Sequence, residues 1–182
     1  MIIHGGTGNG YAAKVNAANK LTTFATMQTM INHVSNDEGE AYTLPFVQAT
    51  DAGADAIILY IKNTSDKNLV ISQIWLSCTA ADTLYTKIGM TGTAAGGTVP
   101  VPINMNSSSA NKAAATVHQH TDITGLTGGS MTWRSYFTAN AISQRIYFDD
   151  GFILGRNGVW TLHATTAQAN TIQGTLVFFF HD

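Results

Sequence analysis

The stretch HQHTD, residues 118–122, carries the residue types closest to metal chemistry. On a β-strand, positions i and i+2 face the same way, so His118 and His120 would present two imidazoles together, with Asp122 beyond them. In jelly-roll metal enzymes of the cupin type, such a His-x-His is joined by a glutamate about four residues later and another His set among Pro and Gly. Thr124 stands at the first of those places, and His163 lacks those surroundings. The plainer expectation is a polar strand or loop with two exposed histidines. His118 and His120 therefore stay as metal candidates only, and no cofactor is expected. In a trimer, either imidazole could meet its own copies on the axis.

The opening GGTGNG places four glycines in six residues, as a phosphate-binding loop would. A dinucleotide fingerprint needs a strand before it, a helix after it and an acidic residue about twenty positions on. Only MIIH precedes Gly5, AAKVNAANK follows without an apolar face, and the Gly-Lys-Ser/Thr of a P-loop is missing. A tether that follows another surface is the better reading. Nucleophilic catalysis finds no elbow motif, and Cys78 sits in the apolar run LVISQIWLSC, where it reads as a small buried hydrophobe. Glycoside hydrolysis needs two positioned carboxylates. Asp149-Asp150 read as a turn, and Glu38 and Glu40 as part of a loop. Trp133, Tyr136 and Trp160 could form a sugar platform, although alternating strand aromatics commonly serve the core. The chain reads as no enzyme.

These residues need elements to position them. The 182 residues suffice for one domain with an arm, and 45 % are apolar, so a core can form. Only 11 % are charged, against about 25 % in an average domain. Thr, Asn, Ser and Gly take their place. Such a surface is polar but uncharged, or is covered by neighbours in an assembly, where Lys and Glu are depleted. The net charge of −2 gives no basic footprint for nucleic acid. One Cys excludes an internal disulfide. The opening has neither a basic nor an apolar signal region, and no apolar run approaches the roughly 20 residues of a membrane helix. The expectation is a chain made in a cytoplasm, with no membrane partner.

From about residue 55 the chain reads as short strands separated by turn signals. AIILYIKN and LVISQIWLSC are β-prone runs around the turn NTSDKN. In the second, Val70, Ile74 and Leu76 alternate with Leu69, Ile71 and Trp75, which predicts an interior strand apolar on both faces. TLYTKIGM leads into the turn-like TGTAAGG, and VPVPINMN, with two prolines, reads as an edge strand or extended connection. NSSSANKAAATVHQH is either a short helix or a strand. Met131, Trp133 and Phe137 share one side of SMTWRSYFTAN. Asn157-Gly158 between apolar runs signals a hairpin. Ile172, Leu176, Phe178 and Phe180 share a face of the closing run, whose other face is also apolar, so it belongs mid-sheet or under a partner. The spacing of apolar positions 21, 24, 27, 31 and 34 is helical, but the threonines among them favour an extended arm. About eight strands in a jelly-roll-like β-sandwich at 42–182, preceded by an N-terminal arm at 1–41, is the expected all-β architecture.

GTGNGYAAKVNAANKL resembles the N-terminal signature of a group of tailed-bacteriophage virion proteins, a Gly-rich run leading into Lys-Val-Asn and then Asn-Lys-Leu. LYIKNTSDKNLVISQIWLS is similar to that group's strand, Asn-Thr turn, strand unit. VPVPINMNSSSANKAAATVHQHTDITGL and DDGFILGRNGVWTLHATTAQANTIQGTLVFFFHD look like its Pro-x-Asn-x-Asn loop and its closing strands. The resemblance implies a non-enzymatic structural protein of the capsid decoration (cement) or head-fibre type. It would form a homotrimer on the virion surface, with the major capsid protein as partner. Gly8, Asn9, Gly10, Lys14, Val15, Asn16, Asn19 and Leu21 would be the attachment arm. The alternative is a host-binding fibre or tail module that recognises surface glycan. A cupin-like metal enzyme, resting on His118 and His120, is the third reading.

Overall fold

Runs of β-branched and aromatic residues favour a pleated surface, and the described residues form ten strands. The computed structural model describes residues 29–50, 55–120, 123–140, 142–165 and 170–182. The expected arm positions 8–21 lie outside the described residues. The strands are β1 (Ala41–Thr50), β2 (Ala56–Asn63), β3 (Asn68–Cys78), β4 (Asp82–Ala95), β5 (Ile103–Asn104), β6 (Ala115–Gln119), β7 (Thr124–Phe137), β8 (Gln144–Leu154), β9 (Val159–Ala164) and β10 (Asn170–His181). They form two antiparallel sheets, ordered β5-β1-β10-β3-β8 and β6-β2-β9-β4-β7. The fold is an all-β sandwich.

One core lies between the sheets. Tyr42, Leu44 and Phe46 from β1, Ile71, Ile74 and Leu76 from β3, and Leu176, Phe178 and Phe180 from β10 meet Leu59, Ile61, Leu84, Trp160 and Leu162 from the other layer. Tyr42, Phe178 and Phe180 pack ring to ring at 5.6–6.0 Å, near the separation at which offset and edge contacts are favourable. The closing run lies mid-sheet, as its two apolar faces require. VPVPINMN supplies the edge strand β5, and the ambiguous Ala-rich stretch becomes strand β6.

Three expectations give way to specific physics. The alternation in β3 does not run through. At Ser72 the pairing of β3 with both β10 and β8 skips a residue. A bulge inverts the faces beyond it, so Leu69 and Ile71 share the core with Ile74, Leu76 and Cys78. Trp75 is turned outward. Thr132 is skipped likewise in β7, which leaves Phe137 in the core while Met131 is exposed. TGTAAGG is no simple turn. β4 continues through it to Ala95 beside β7, with Gly92 at φ 111° where an added Cβ would lie 2.1 Å from the Gly125 carbonyl oxygen.

The helical spacing ahead of β1 is expressed after all, in part. Met30–His33 forms one α-turn, started by Thr29, whose hydroxyl accepts from the Asn32 N–H at 3.4 Å. Val34–Glu38 follows as a π-turn that stops at Gly39, φ 65°. Val34 is wholly buried against Ala41, Val70 and Phe179, so this end of the expected arm lies on the outer face of the first sheet. Lys67 bridges Glu40 at 2.8 Å and Glu38 at 3.5 Å, and the Glu40 carboxylate holds the Lys67 ammonium above its ordinary value.

Asn157-Gly158 does not make a hairpin, because β8 and β9 belong to different sheets. Asn157 takes φ 65° and the Gly158 N–H donates to the Gly155 carbonyl at 2.8 Å. The turn carries the chain across the sandwich. Apart from β6 to β7, every connection makes such a crossing. Asn63, with no exposed surface, ties two crossings together. Its amide donates to the Lys67 and Leu154 carbonyls, both at 2.8 Å, and its oxygen accepts from the Ser65 N–H at 2.8 Å. Asn63→Ala strands those three groups and is expected to cost about 2–4 kcal/mol, read as a lower urea midpoint. Asn63→Asp should do worse, since a carboxylate would face two carbonyl oxygens. An unchanged midpoint in both variants would show that the crossings hold without the amide.

Candidate functional site

β9 is interior to the second sheet, so its alternation sends Trp160, Leu162 and Ala164 to the core and Thr161 and His163 to the outer face. There His163 is 1 % exposed and stacks on Tyr85 of β4 at 4.8 Å. Its Nδ1 lies 2.9 Å from the Asp55 Oδ1, and its Nε2 lies 2.8 Å from the Thr161 hydroxyl. A carboxylate only accepts, so Nδ1 carries the proton and Nε2 accepts from Thr161. Lys87 Nζ completes the group 3.2 Å from the other Asp55 oxygen. A cavity of about 430 Å³ adjoins it, lined by Asp55, Ile57, Lys87, Met90, Ile123 and His163 among others.

The chain of Asp55, His163 and Thr161 has the contacts of a nucleophilic relay. Its last member cannot reach a substrate: Thr161 has no exposed surface and lies under the Met90 sulfur, 3.2 Å away. The cluster holds the segment entering β2 against β4 and β9. Nothing local in the sequence announces it, since Asp55 and His163 are 108 residues apart.

The sequence candidates fare differently. β6 ends at Gln119, and at His120 a φ of 136° turns the chain. The i, i+2 alternation that would have brought His118 and His120 to one face therefore stops before His120. His118 bonds through Nδ1 to the Gly96 carbonyl at 3.0 Å and packs edge-on against Tyr60. Asp122 lies outside the described residues. Among the described residues no three His, Cys, Asp or Glu gather as a metal-holding group. Burial, reinforced by the Asp82 carboxylate, pushes the Cys78 thiol up to about 12, which leaves it without thiolate at neutral pH. Trp160 is wholly buried and Trp133 packs against the core, while Tyr136 is exposed. Those three make no platform. Among the described residues no helix is long and apolar enough to cross a membrane.

Two surfaces stand out instead. On the first sheet, the half not covered by Val34 carries three cross-strand rows, Thr43-Val177-Gln73-Tyr147, Pro45-Thr175-Trp75-Arg145 and Val47-Gln173-Ser77, in which Val47, Trp75, Arg145, Tyr147 and Gln173 are exposed while Val177 is buried. Beside it, the connection into β5 exposes Val99, Val101, Ile103 and Met105. Comparison with protein-family models, curated proteins and solved structures finds no match to this chain.

Burial pushes the His163 imidazole below its ordinary value of 6.5, with the Lys87 ammonium adding to the shift and the Asp55 carboxylate opposing it. The unfolded chain therefore binds this proton more readily than the folded one. Stability is expected to fall as pH drops below 6.5, down to the folded-state value. Tyr85 and Lys87 of β4, and Asp55 ahead of β2, are the titratable groups facing the ring. Urea denaturation across that range should show the slope in the native chain and a flatter profile in His163→Gln. Equal slopes would remove His163 as the group responsible.

Proposed function

We propose that this chain is a non-enzymatic structural protein of a tailed-phage particle, a decoration or cement protein that bridges and stabilises coat subunits as a homotrimer on the virion surface. The two-sheet sandwich with crossing connections supports the jelly-roll-like body that the resemblance implies. The observation that carries the reading is the strip Val99, Val101, Ile103 and Met105. Val101 is 77 % exposed, and residues 97–111 hold no charged side chain. Scattered apolar residues on a surface are ordinary, but four at a spacing of two form a patch of the kind that marks a protein contact.

Pro100 and Pro102 shape the strip. A residue before proline is pushed to extended backbone, so Val99 and Val101 are held out along the edge beside β5. The prolines lack an N–H, which discourages indiscriminate strand addition. Recognition falls to the side chains. A contact core depleted of charge fits that use, and several weak contacts around a trimer would reinforce one another. The major capsid protein is the partner in this reading, with positions 8–21 as an additional attachment arm.

In purified particles, quantitative mass spectrometry should find this chain at a copy number comparable to the major coat protein. Val101→Asp and Ile103→Asp should leave the fold intact and weaken attachment by about tenfold or more. Deletion of residues 1–20 should also leave the body folded and weaken attachment. A handful of copies per particle, or full attachment by the Asp variants, would remove the cement reading.

A further inference from the structure

The bare rows of the first sheet are not flat. They enclose a groove of about 630 Å³ between β1, β10 and β3. None of its lining residues is ionisable. Thr43, Ser77, Ser143 and Thr175 offer hydroxyls, and Gln73 and Gln173 offer amides. The one large aromatic surface among these groups is the Trp75 indole, 41 % exposed because the Ser72 bulge turned it out of the core.

Trp75 is held in place. The Arg145 guanidinium lies 5.1 Å from its ring and 4.3 Å from that of Tyr147, both within cation–π range. Two of its nitrogens donate to the Gln73 Oε1, at 2.9 and 2.6 Å. Arg145 sits on β8, on the side of the indole away from β10, and is not part of the groove lining. Gln73 has its oxygen committed to Arg145, which leaves its NH₂ as the donor for a ligand.

We propose that this groove binds a neutral oligosaccharide, with the apolar face of one pyranose ring on Trp75 and its hydroxyl groups on the surrounding amides and hydroxyls. A concave site with an apolar plate and a few placed polar groups suits a small polyhydroxylated ligand. The lining offers no cation to a sulfated, sialylated or phosphorylated chain. The Arg145 guanidinium beside the indole is occupied by two rings and an amide. This set of residues is distinct from Trp133, Tyr136 and Trp160, which make no platform. It is independent of where in a particle the chain sits.

The full chain would be titrated with neutral gluco- and N-acetylglucosamine oligosaccharides, and with sialylated and sulfated ones as controls. Calorimetry would be read alongside NMR of the three tryptophan indole N–H signals. The expected result is saturable binding of a neutral oligosaccharide that moves the Trp75 signal alone and changes little with salt. Trp75→Ala should weaken it by about tenfold or more. Gln173→Ala and Thr175→Val should weaken it less, and they keep the test open if Trp75→Ala fails to fold. The proposal is overturned if no neutral oligosaccharide moves the Trp75 signal at up to about 10 mM, or if only the charged controls bind. Self-association of the native chain that Trp75→Ala abolishes would assign the face to a second copy, and would equally overturn it.

Discussion

Each time this chain passes from one sheet to the other, it leaves strand-end N–H and C=O groups with no ladder partner, and a buried group in that state costs more than the bond it lost. Nearly every connection makes that passage, so the sandwich depends on how its crossings are satisfied. At one end Asn63 supplies three hydrogen bonds to the crossings from β2 and from β8. At the other, Asn170 accepts from the Ala80 N–H at 2.9 Å and donates to Asp82, whose other oxygen accepts from the Thr165 N–H. Side chains stand in for the missing strand neighbours. The apolar core between the sheets can close only because these polar ends are closed too.

The same constraint separates what was legible in the sequence from what was not. Strand-forming runs such as AIILYIKN and TIQGTLVFFFHD declare themselves, because burial on both sides writes a continuous apolar pattern. Val177 and Phe179 on the second face of β10 call for a mid-sheet place or cover by a partner, and the strand lies mid-sheet. Partner choice has no such local signature. Asn157-Gly158 carries the residue types of a hairpin turn, but where it leads depends on Asn63, far away in the chain. Bulges are equally silent: nothing in ISQIW marks Ser72 as an extra residue, yet it decides that Trp75 faces solvent and Ile74 the core. Threonine content argues against helix over 22–29, and the helical turns Met30–Glu38 begin just past the last of those threonines, where Val34 is buried on Val70 and Phe179.

The surface chemistry follows from where charge was withheld. Ion pairs gather where segments must be pinned, with Lys67 on Glu38 and Glu40, Lys87 on Asp55, and Arg156 on Asp66. Exposed pairs of this kind contribute little individually, and their value is in fixing the ends of loops. The uncharged areas are elsewhere: the strip through Val101, and the lining of the groove beside Trp75. Had Lys or Glu been scattered over those areas, as on an average soluble domain, neither would be suited to a dry contact or a neutral ligand. Positional economy of charge, more than its total, distinguishes this sandwich.

The central place of β10 has a temporal consequence. It lies between β1 and β3, so the first sheet has a gap at its middle until residues 170–181 are available to pair. During synthesis, β1 can pair with β5 and β3 with β8, but β1 and β3 each keep an open edge and an apolar face, and those two halves cannot meet in their final arrangement. Structures dominated by distant pairings form slowly, and exposed strand edges invite association meanwhile. A ribosome stalled before this strand would hold a chain in which one sheet exists as two halves with no native way to join them.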